Sequence, residues 1–226
     1  MSDTAVNVLA IAVFLMTLSV LLGPLIQLSP LVPTFATLAL VGLVAVDQWG
    51  WQGKGTTLFL GSIASKAQKQ RILHHEAGHF LVAHCLGIAI QDYSLSAWEA
   101  FQKGRSGQGA VEFIPQDLTE QLQDWQNRPL LLERLATVWM AGIAAEQVIY
   151  GQAEGGSEDR QQLQAAFNLA GLPSTAFANK ESWALLQAKN LIMTHRSAYD
   201  VLVEAMGERR SVSECCILLK ENSIQF

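Results

Sequence analysis

Residues 75–79, His-Glu-Ala-Gly-His, constrain this chain more than any other feature, because they need both a helix and a distant partner. Residues four apart lie on one face of an α-helix. His75 and His79 can therefore turn their imidazoles toward one metal ion, with Glu76 on the same arc. The pattern H-E-x-x-H is typical of zinc sites in which the glutamate acts as a general base. The sequence thus predicts a zinc-binding helix and requires a third ligand from elsewhere.

A helix from Lys66 to Leu86 is predicted around this motif. The stretch has no proline, is rich in Ala, Leu, Gln and Lys, and is followed by Gly87 at a plausible end. Gly78 lies inside it and costs about 1 kcal/mol relative to alanine in a helix interior. The remaining histidines are assigned other roles. His74 and His84 fall on other faces of the helix and are expected beside the site, at the surface or in packing, and His195, isolated far downstream, is expected to be structural.

Two apolar runs, residues about 5–26 and 31–47, precede the motif, and a short link separates them; neither contains a charge before Asp47. About 20 apolar residues span the hydrocarbon core of a bilayer. The runs therefore predict an N-terminal transmembrane helical hairpin, domain 1–48, with the lipid bilayer as a partner. A re-entrant helix pair is the weaker alternative. A cleaved signal peptide is disfavoured, since no Lys or Arg precedes the first run.

Charged residues and cysteines indicate where the rest of the chain lies. Basic residues begin only at Lys54, so the positive-inside rule places the C-terminal part on the cytoplasmic side, or on the stromal or matrix side in an organelle. Three cysteines without CxxC spacing agree with a reducing compartment: Cys85, Cys215 and Cys216. The net charge of −5 and the lack of a basic, aromatic-interleaved stripe exclude nucleic acid as a partner.

Residues 49–226 have the size of one domain, for which a mainly α fold with a small β element is predicted. The β element consists of short strands, Asp92–Ser96 and Gly109–Ile114, around a glycine-rich loop. Helical patterns dominate the remainder, over the ranges Arg128–Tyr150, Ser157–Ala170, Glu181–His195, Ala198–Met206 and Val212–Glu221.

A catalytic zinc site uses three protein ligands and leaves a position for water. The richest downstream candidate is Gly155-Gly156-Ser157-Glu158-Asp159, where Ser157 is a favourable N-cap and the acidic residues fall in the first helical turn. Acidic residues also favour helix N-termini for dipole reasons alone. Glu99 and Glu146 compete for the ligand role, and the spacing leaves the choice open.

The chain resembles FtsH-type zinc peptidases in several ordered blocks between Gln68 and Met206. HHEAGHFLVAHCLG is similar to their zinc helix, and GAVEFIPQD to the segment that follows it. LLERLATVWMAGIAAEQVIYG, GGSEDRQQLQAAFNLA and WALLQAKNLIMTHRSAYDVLVEAM resemble their later helices. The resemblance implies a mainly helical peptidase fold, Zn²⁺ as cofactor and Asp159 as the third ligand.

The chain also departs from that family. FtsH proteases place an ATPase module before the peptidase, whereas no G-x-x-x-x-G-K-[ST] pattern occurs here: Gly55 follows Lys54, and Gln48 stands where the first glycine belongs. ATP-driven unfolding and ring assembly are therefore not carried over. Ile143 also replaces the family's usual arginine before Ala-Ala-Glu.

The expected function is a membrane-anchored zinc metalloendopeptidase that cleaves flexible or unfolded protein segments without an ATPase of its own. His75, His79 and Asp159 would bind zinc, and Glu76 would be the catalytic base. The alternative is a non-proteolytic FtsH-like scaffold, as a homo-oligomer or beside an ATPase-bearing FtsH partner. An intramembrane metalloprotease fits less well, because the chain contains no Asp-Gly pair.

Overall fold

The computed structural model describes residues 3–23, 29, 31–50, 55, 65–103, 109–113 and 129–222. This part of the chain is mainly helical with one two-stranded sheet, which confirms the predicted fold class at that level. The chain divides into two compact units, Met1–Ile63 and Ala64–Phe226. Residues 27, 28 and 30 of the predicted link, and the glycine-rich stretch 104–108, lie outside the described residues.

The first unit contains helix α1, Asp3–Leu22, and helix α2, Leu31–Gly50, which pack against each other. The described parts of both apolar runs are thus helical or in a helical turn, and large apolar side chains on them are exposed, among them Phe14, Leu21 and Phe35. No helix in the described ranges is both long enough and apolar enough to cross a membrane. The transmembrane hairpin predicted over residues 5–26 and 31–47 is therefore unsupported.

Helix α3, Lys66–Cys85, is central to the second unit and contacts several of its other helices. Its start is capped by Ser65, whose hydroxyl accepts a hydrogen bond from the Gln68 backbone N–H at 3.1 Å. Its end is followed by Gly87 at a φ of +70°, a conformation that favours glycine. The predicted helix 66–86 is confirmed to within one residue.

The small β element follows α3. Strand β1, Ile90–Ser94, pairs in antiparallel fashion with strand β2, Ala110–Phe113, with Tyr93 opposite Val111. The short helix α4, Ala97–Gln102, lies between the strands. Both predicted strands are therefore present, and β2 contacts α3.

The remaining helices are α5 to α10, with a short 3₁₀ turn at Ser174–Ala176 before α8. They have the following bounds: α5, Pro129–Trp139; α6, Ala141–Tyr150; α7, Ser157–Leu169; α8, Phe177–Thr194; α9, Arg196–Gly207; and α10, Val212–Asn222. One prediction is wrong. The single helix expected over 128–150 is two helices, separated by a turn at Met140, although the Met140 N–H still donates to the Ala136 carbonyl.

Helices α3 and α6 approach closely at a contact made of small residues. A Cβ on Gly78 would lie 2.6 Å from the Ala141 carbonyl oxygen and 2.7 Å from the Ala145 Cβ. Real Cβ atoms do not approach other atoms that closely, so only glycine fits at this crossing. Gly78 thus permits the close approach that brings the motif helix against the backbone of α6.

Candidate metal centre

Helix α3 and the first turn of α7 bring three potential ligands together. The Nε2 atom of His75 lies 3.0 Å from Oδ2 of Asp159, and the Nε2 atom of His79 lies 3.3 Å from Oδ1 of the same carboxylate. All three donors fall within 4.8 Å of one another. Neighbouring ligands of a tetrahedral zinc ion with bonds of 2.0–2.1 Å lie about 3.3 Å apart. The donor set and its spacing therefore fit a metal ion.

Both imidazoles are held by their other nitrogen. The Nδ1 atom of His75 lies 2.8 Å from Oε1 of Glu146, and the Nδ1 atom of His79 lies 2.7 Å from the Val138 carbonyl oxygen. An N–H donated to each acceptor fixes the tautomer and the ring orientation, so both Nε2 atoms are directed at Asp159. Metal-binding histidines are typically oriented in this way by a carboxylate or a carbonyl.

The interruption at Met140 explains why the Val138 carbonyl is available. The last four carbonyl groups of a helix lack the amide partner that a continuing helix would supply. Val138 lies in the last turn of α5, one residue before the helix ends at Trp139. The break thus provides a buried acceptor for His79, whose side chain is 7% exposed.

The His75 ring lies directly against the backbone of α6. A Cβ on Gly142 would be 2.3 Å from Nε2 of His75 and within 2.5 Å of two ring carbons. A Cβ on Gly155 would similarly be 2.8 Å from Oε1 of Glu146. These two glycines leave the space that the imidazole and its carboxylate partner occupy.

Gly142→Ala should displace His75 and weaken metal binding. Alanine normally stabilises a helix interior by about 1 kcal/mol relative to glycine, but the overpacked site should instead lose about 1–3 kcal/mol. Chemical denaturation and zinc titration of the full-length protein measure both effects. Gly207→Ala is the matched control, since its Cβ would be 3.4 Å from Leu73 Cδ2, an ordinary contact. Equal behaviour of the two variants would contradict the prediction.

Glu76 is buried beside the three ligands. Glu76 is only 5% exposed, and its Oε2 atom has no hydrogen-bond partner among the described residues. Burial raises the pKa of Glu76 to about 7, although the charges of His79 and His75 act in the opposite direction. A buried carboxyl oxygen without a protein partner is uncommon in folded proteins and is consistent with a catalytic role or with a bound water or ion.

Hydrogen bonds between ionisable groups connect His75, Asp159 and Glu146. Burial alone would lower the pKa of His75, but its hydrogen bonds to Asp159 and Glu146 raise the pKa to about 10. Burial opposes ionisation of Glu146, yet hydrogen bonds from His75, the Glu154 backbone and Arg71 lower its pKa to about 2. A metal ion bound by these atoms would require Nε2 of His75 to be free of its proton, so metal binding and protonation compete at this nitrogen.

The competing ligand candidates lie elsewhere or face the other way. Glu146 contacts the ring nitrogen of His75 that points away from Asp159, so its role is to orient that ring. Glu99 accepts a hydrogen bond from the Leu95 backbone N–H at 2.8 Å and pairs with Arg209. Both are therefore outside the three-ligand group.

The other histidines also lie outside that group. The Nδ1 atom of His74 lies 3.0 Å from the hydroxyl oxygen of Tyr199. His84 is half-buried at the end of α3, and His195 lies at the junction of α8 and α9. None of the three belongs to the potential ligand group among the described residues, and the roles expected for them stay predictions.

The turn before Asp159 differs from its prediction in one respect. Gly156, at a φ of +93°, is the N-cap of α7, and Ser157 is the first helical residue rather than the cap. Glu158 and Asp159 are in the first turn, as predicted. A Cβ on Gly156 would lie 2.2 Å from Cγ1 of Ile143, so a buried isoleucine packs directly beneath this turn.

Sequence reasoning missed the groups that hold the histidines. Glu146 was considered only as a ligand, and a backbone carbonyl such as that of Val138 leaves no trace in a sequence. One signal was present for Arg71, which precedes His75 by four residues and so lies on the same face of α3. Its contacts with Glu146 could not be anticipated without the fold.

Comparisons with known proteins do not assign the chain to a family. No protein-family model matches it, and no curated protein sequence is significantly similar. The resemblance of the motif blocks to FtsH-type peptidases therefore stays a prediction. The geometry of His75, His79 and Asp159 is what bears on function.

Proposed function

We propose that this chain is a zinc-dependent endopeptidase of FtsH type that cleaves flexible or unfolded segments. The observation that supports it is the directed arrangement of the two imidazoles. Each is anchored through Nδ1, by Glu146 or by Val138, and each presents Nε2 to Asp159. Two imidazole nitrogens and a carboxylate oxygen are a donor set that zinc hydrolases use.

Zinc bound by His75, His79 and Asp159 would lower the pKa of a water molecule toward about 7 and polarise a peptide carbonyl. Glu76 accepts a proton from the attacking water through its unpartnered oxygen. As the C–N bond breaks, Glu76 returns that proton to the leaving amine, so one water is added across the peptide bond and the carboxylate is restored. The buried position of Glu76 keeps bulk water from competing for this proton.

Substrate choice follows from what the chain contains. A folded protein presents no extended backbone to a buried site, and the sequence has no P-loop pattern with which to couple unfolding to ATP. Flexible tails, loops and unfolded chains are therefore the proposed substrates. The proposed chemistry involves only residues of the second unit and is independent of the predicted membrane hairpin.

Metal content and chelator sensitivity test this proposal. The purified full-length protein should hold about one zinc ion per chain and degrade an unstructured protein such as casein. Treatment with 1,10-phenanthroline should abolish degradation, and added zinc should restore it. Serine-protease inhibitors serve as the control for contaminating proteases. Stoichiometric zinc without cleavage would favour the scaffold alternative, and cleavage that persists without metal would contradict the mechanism.

A further inference from the structure

Arg71 makes an unusually complete set of contacts one helical turn before His75. Its Nη1 atom donates hydrogen bonds to Oε2 of Glu146 at 2.8 Å and to the Gln152 carbonyl oxygen at 3.1 Å. Its Nη2 atom lies 3.1 Å from Oε1 of Glu154. The guanidinium therefore joins α3 to the end of α6 and to the turn that follows it.

An aromatic ring completes the environment of this guanidinium. The Arg71 Cζ atom lies 4.4 Å from the centre of the Tyr150 ring, at the C-terminus of α6. The Arg71 side chain is only 15% exposed. A planar group that stacks on a ring and forks toward several oxygens is a role suited to arginine and poorly matched by lysine.

Glu146 has hydrogen-bond partners on both carboxylate oxygens, including the Gly155 backbone N–H, which donates to Oε1 at 3.3 Å. Its Oε1 atom contacts His75 Nδ1, while its Oε2 atom accepts from Arg71 and, at 2.9 Å, from the Glu154 backbone N–H. The Glu146 side chain is 2% exposed. Without Arg71, this buried carboxylate would lose a cationic partner, which strongly disfavours its present position.

The contacts of Arg71 also bear on Asp159, the third potential ligand. Arg71 holds the carbonyl of Gln152 and the carboxylate of Glu154, which lie in the turn between α6 and α7. Asp159 follows that turn within the first turn of α7. Arg71 is thereby connected to two of the three ligands, to His75 through Glu146 and to Asp159 through the backbone.

We propose that Arg71 is a positioning residue for the metal centre. It fixes Glu146, and through it the ring of His75, and it holds the turn that presents Asp159. The inference rests on the proposed zinc site. It goes beyond that proposal by assigning metal affinity to a residue that touches none of the ligands directly.

Metal affinity of the full-length protein tests the inference without any need for a substrate. Arg71→Met should weaken zinc binding about tenfold in competition with a chromophoric chelator, the lower end of the effect known for groups that orient ligands. Cobalt substituted for zinc should show altered visible absorption bands, because these bands report ligand geometry. Arg71→Lys keeps the charge but cannot reach the oxygens of Glu146, Gln152 and Glu154 together. Its zinc affinity should therefore fall between those of the wild type and Arg71→Met.

A double-mutant cycle separates positioning from general stabilisation. If Arg71 acts through Glu146, Arg71→Met should have a much smaller effect on zinc affinity in a Glu146→Gln background. Arg209→Met is the matched control, since it removes an arginine–glutamate pair with Glu99 away from the site. It should leave zinc affinity unchanged. Equal effects of Arg71→Met in both backgrounds would overturn the inference.

The outcomes distinguish this inference from the proposed function. If the wild-type chain binds zinc and Arg71→Met binds it with the same affinity, the positioning role alone is overturned. If Arg71→Met does not fold, unchanged zinc affinity in Arg71→Lys overturns it instead. Reduced affinity in a wild-type chain that shows no peptidase activity supports the positioning role and counts against the peptidase. A wild-type chain that binds no zinc overturns both.

Discussion

Replacing Glu76 with glutamine is expected to reduce peptide cleavage by about 10²–10⁴-fold, the usual contribution of a general base. Glutamine has nearly the same shape as glutamate but cannot accept the proton of the attacking water. Because Glu76 is not one of the three potential ligands, zinc content should stay at the wild-type level. The measurements are the initial rate of casein cleavage and the zinc content of the same sample.

The matched control is Glu204→Gln, which makes the same chemical change on helix α9, outside the ligand group. Cleavage and zinc content should both match the wild type. Glu76→Gln should also retain the fold, because its buried oxygen has no hydrogen-bond partner to lose among the described residues. Undiminished cleavage by Glu76→Gln would exclude the proposed base, whatever the metal content.

His79→Ala should eliminate stoichiometric zinc and, with it, cleavage. A ligand that bonds the metal contributes more than the about 10–100-fold that an orienting group supplies. Zinc at 100 times its dissociation constant stabilises a protein by about 2.7 kcal/mol. The wild-type unfolding temperature should therefore rise on adding zinc, and this increase should be absent in His79→Ala.

The decisive quantity is the increase in unfolding temperature on adding zinc, rather than the unfolding temperature itself. His79 is buried, so its removal leaves a cavity that destabilises the variant with or without metal. His84→Ala, on the same helix but outside the ligand group, supplies the control and should keep both zinc and the thermal increase. Loss of zinc from both variants, or from neither, would contradict the assigned ligands.

The helices of the second unit were largely predictable because their signals are local. Stretches of good helix formers without proline mark α3 and α8, and glycine at positive φ follows α3 at the expected place. The strands were likewise marked by the residues around a glycine-rich segment. Such signals depend on neighbouring residues and need no knowledge of the tertiary fold.

The break at Met140 had no comparable signal. Methionine and the alanine that follows it are good helix formers, no proline is present, and the nearest glycine, Gly142, lies two residues later within α6. Helix propensity therefore does not account for this break. Ser157 was misassigned for a related reason, since Gly156 adopts the left-handed conformation that starts α7.

The candidate site was predictable only in part. His75, Glu76 and His79 follow from the motif, and Asp159 was reached through the family resemblance. The partners of the two histidines depend on contacts across about seventy residues of sequence, such as that between His75 and Glu146. No spacing rule within a single helix contains this information.

The two histidine anchors differ in how they can be lost. Glu146 is a side chain, so a single codon change can remove the group that orients His75. The acceptor for His79 is the main-chain oxygen of Val138, which every amino acid at that position would supply. Genetic variation at residue 138 can therefore alter packing but cannot delete the anchor. The orientation of His75 therefore depends on which residue occupies position 146, whereas the orientation of His79 depends on the path of the backbone at position 138.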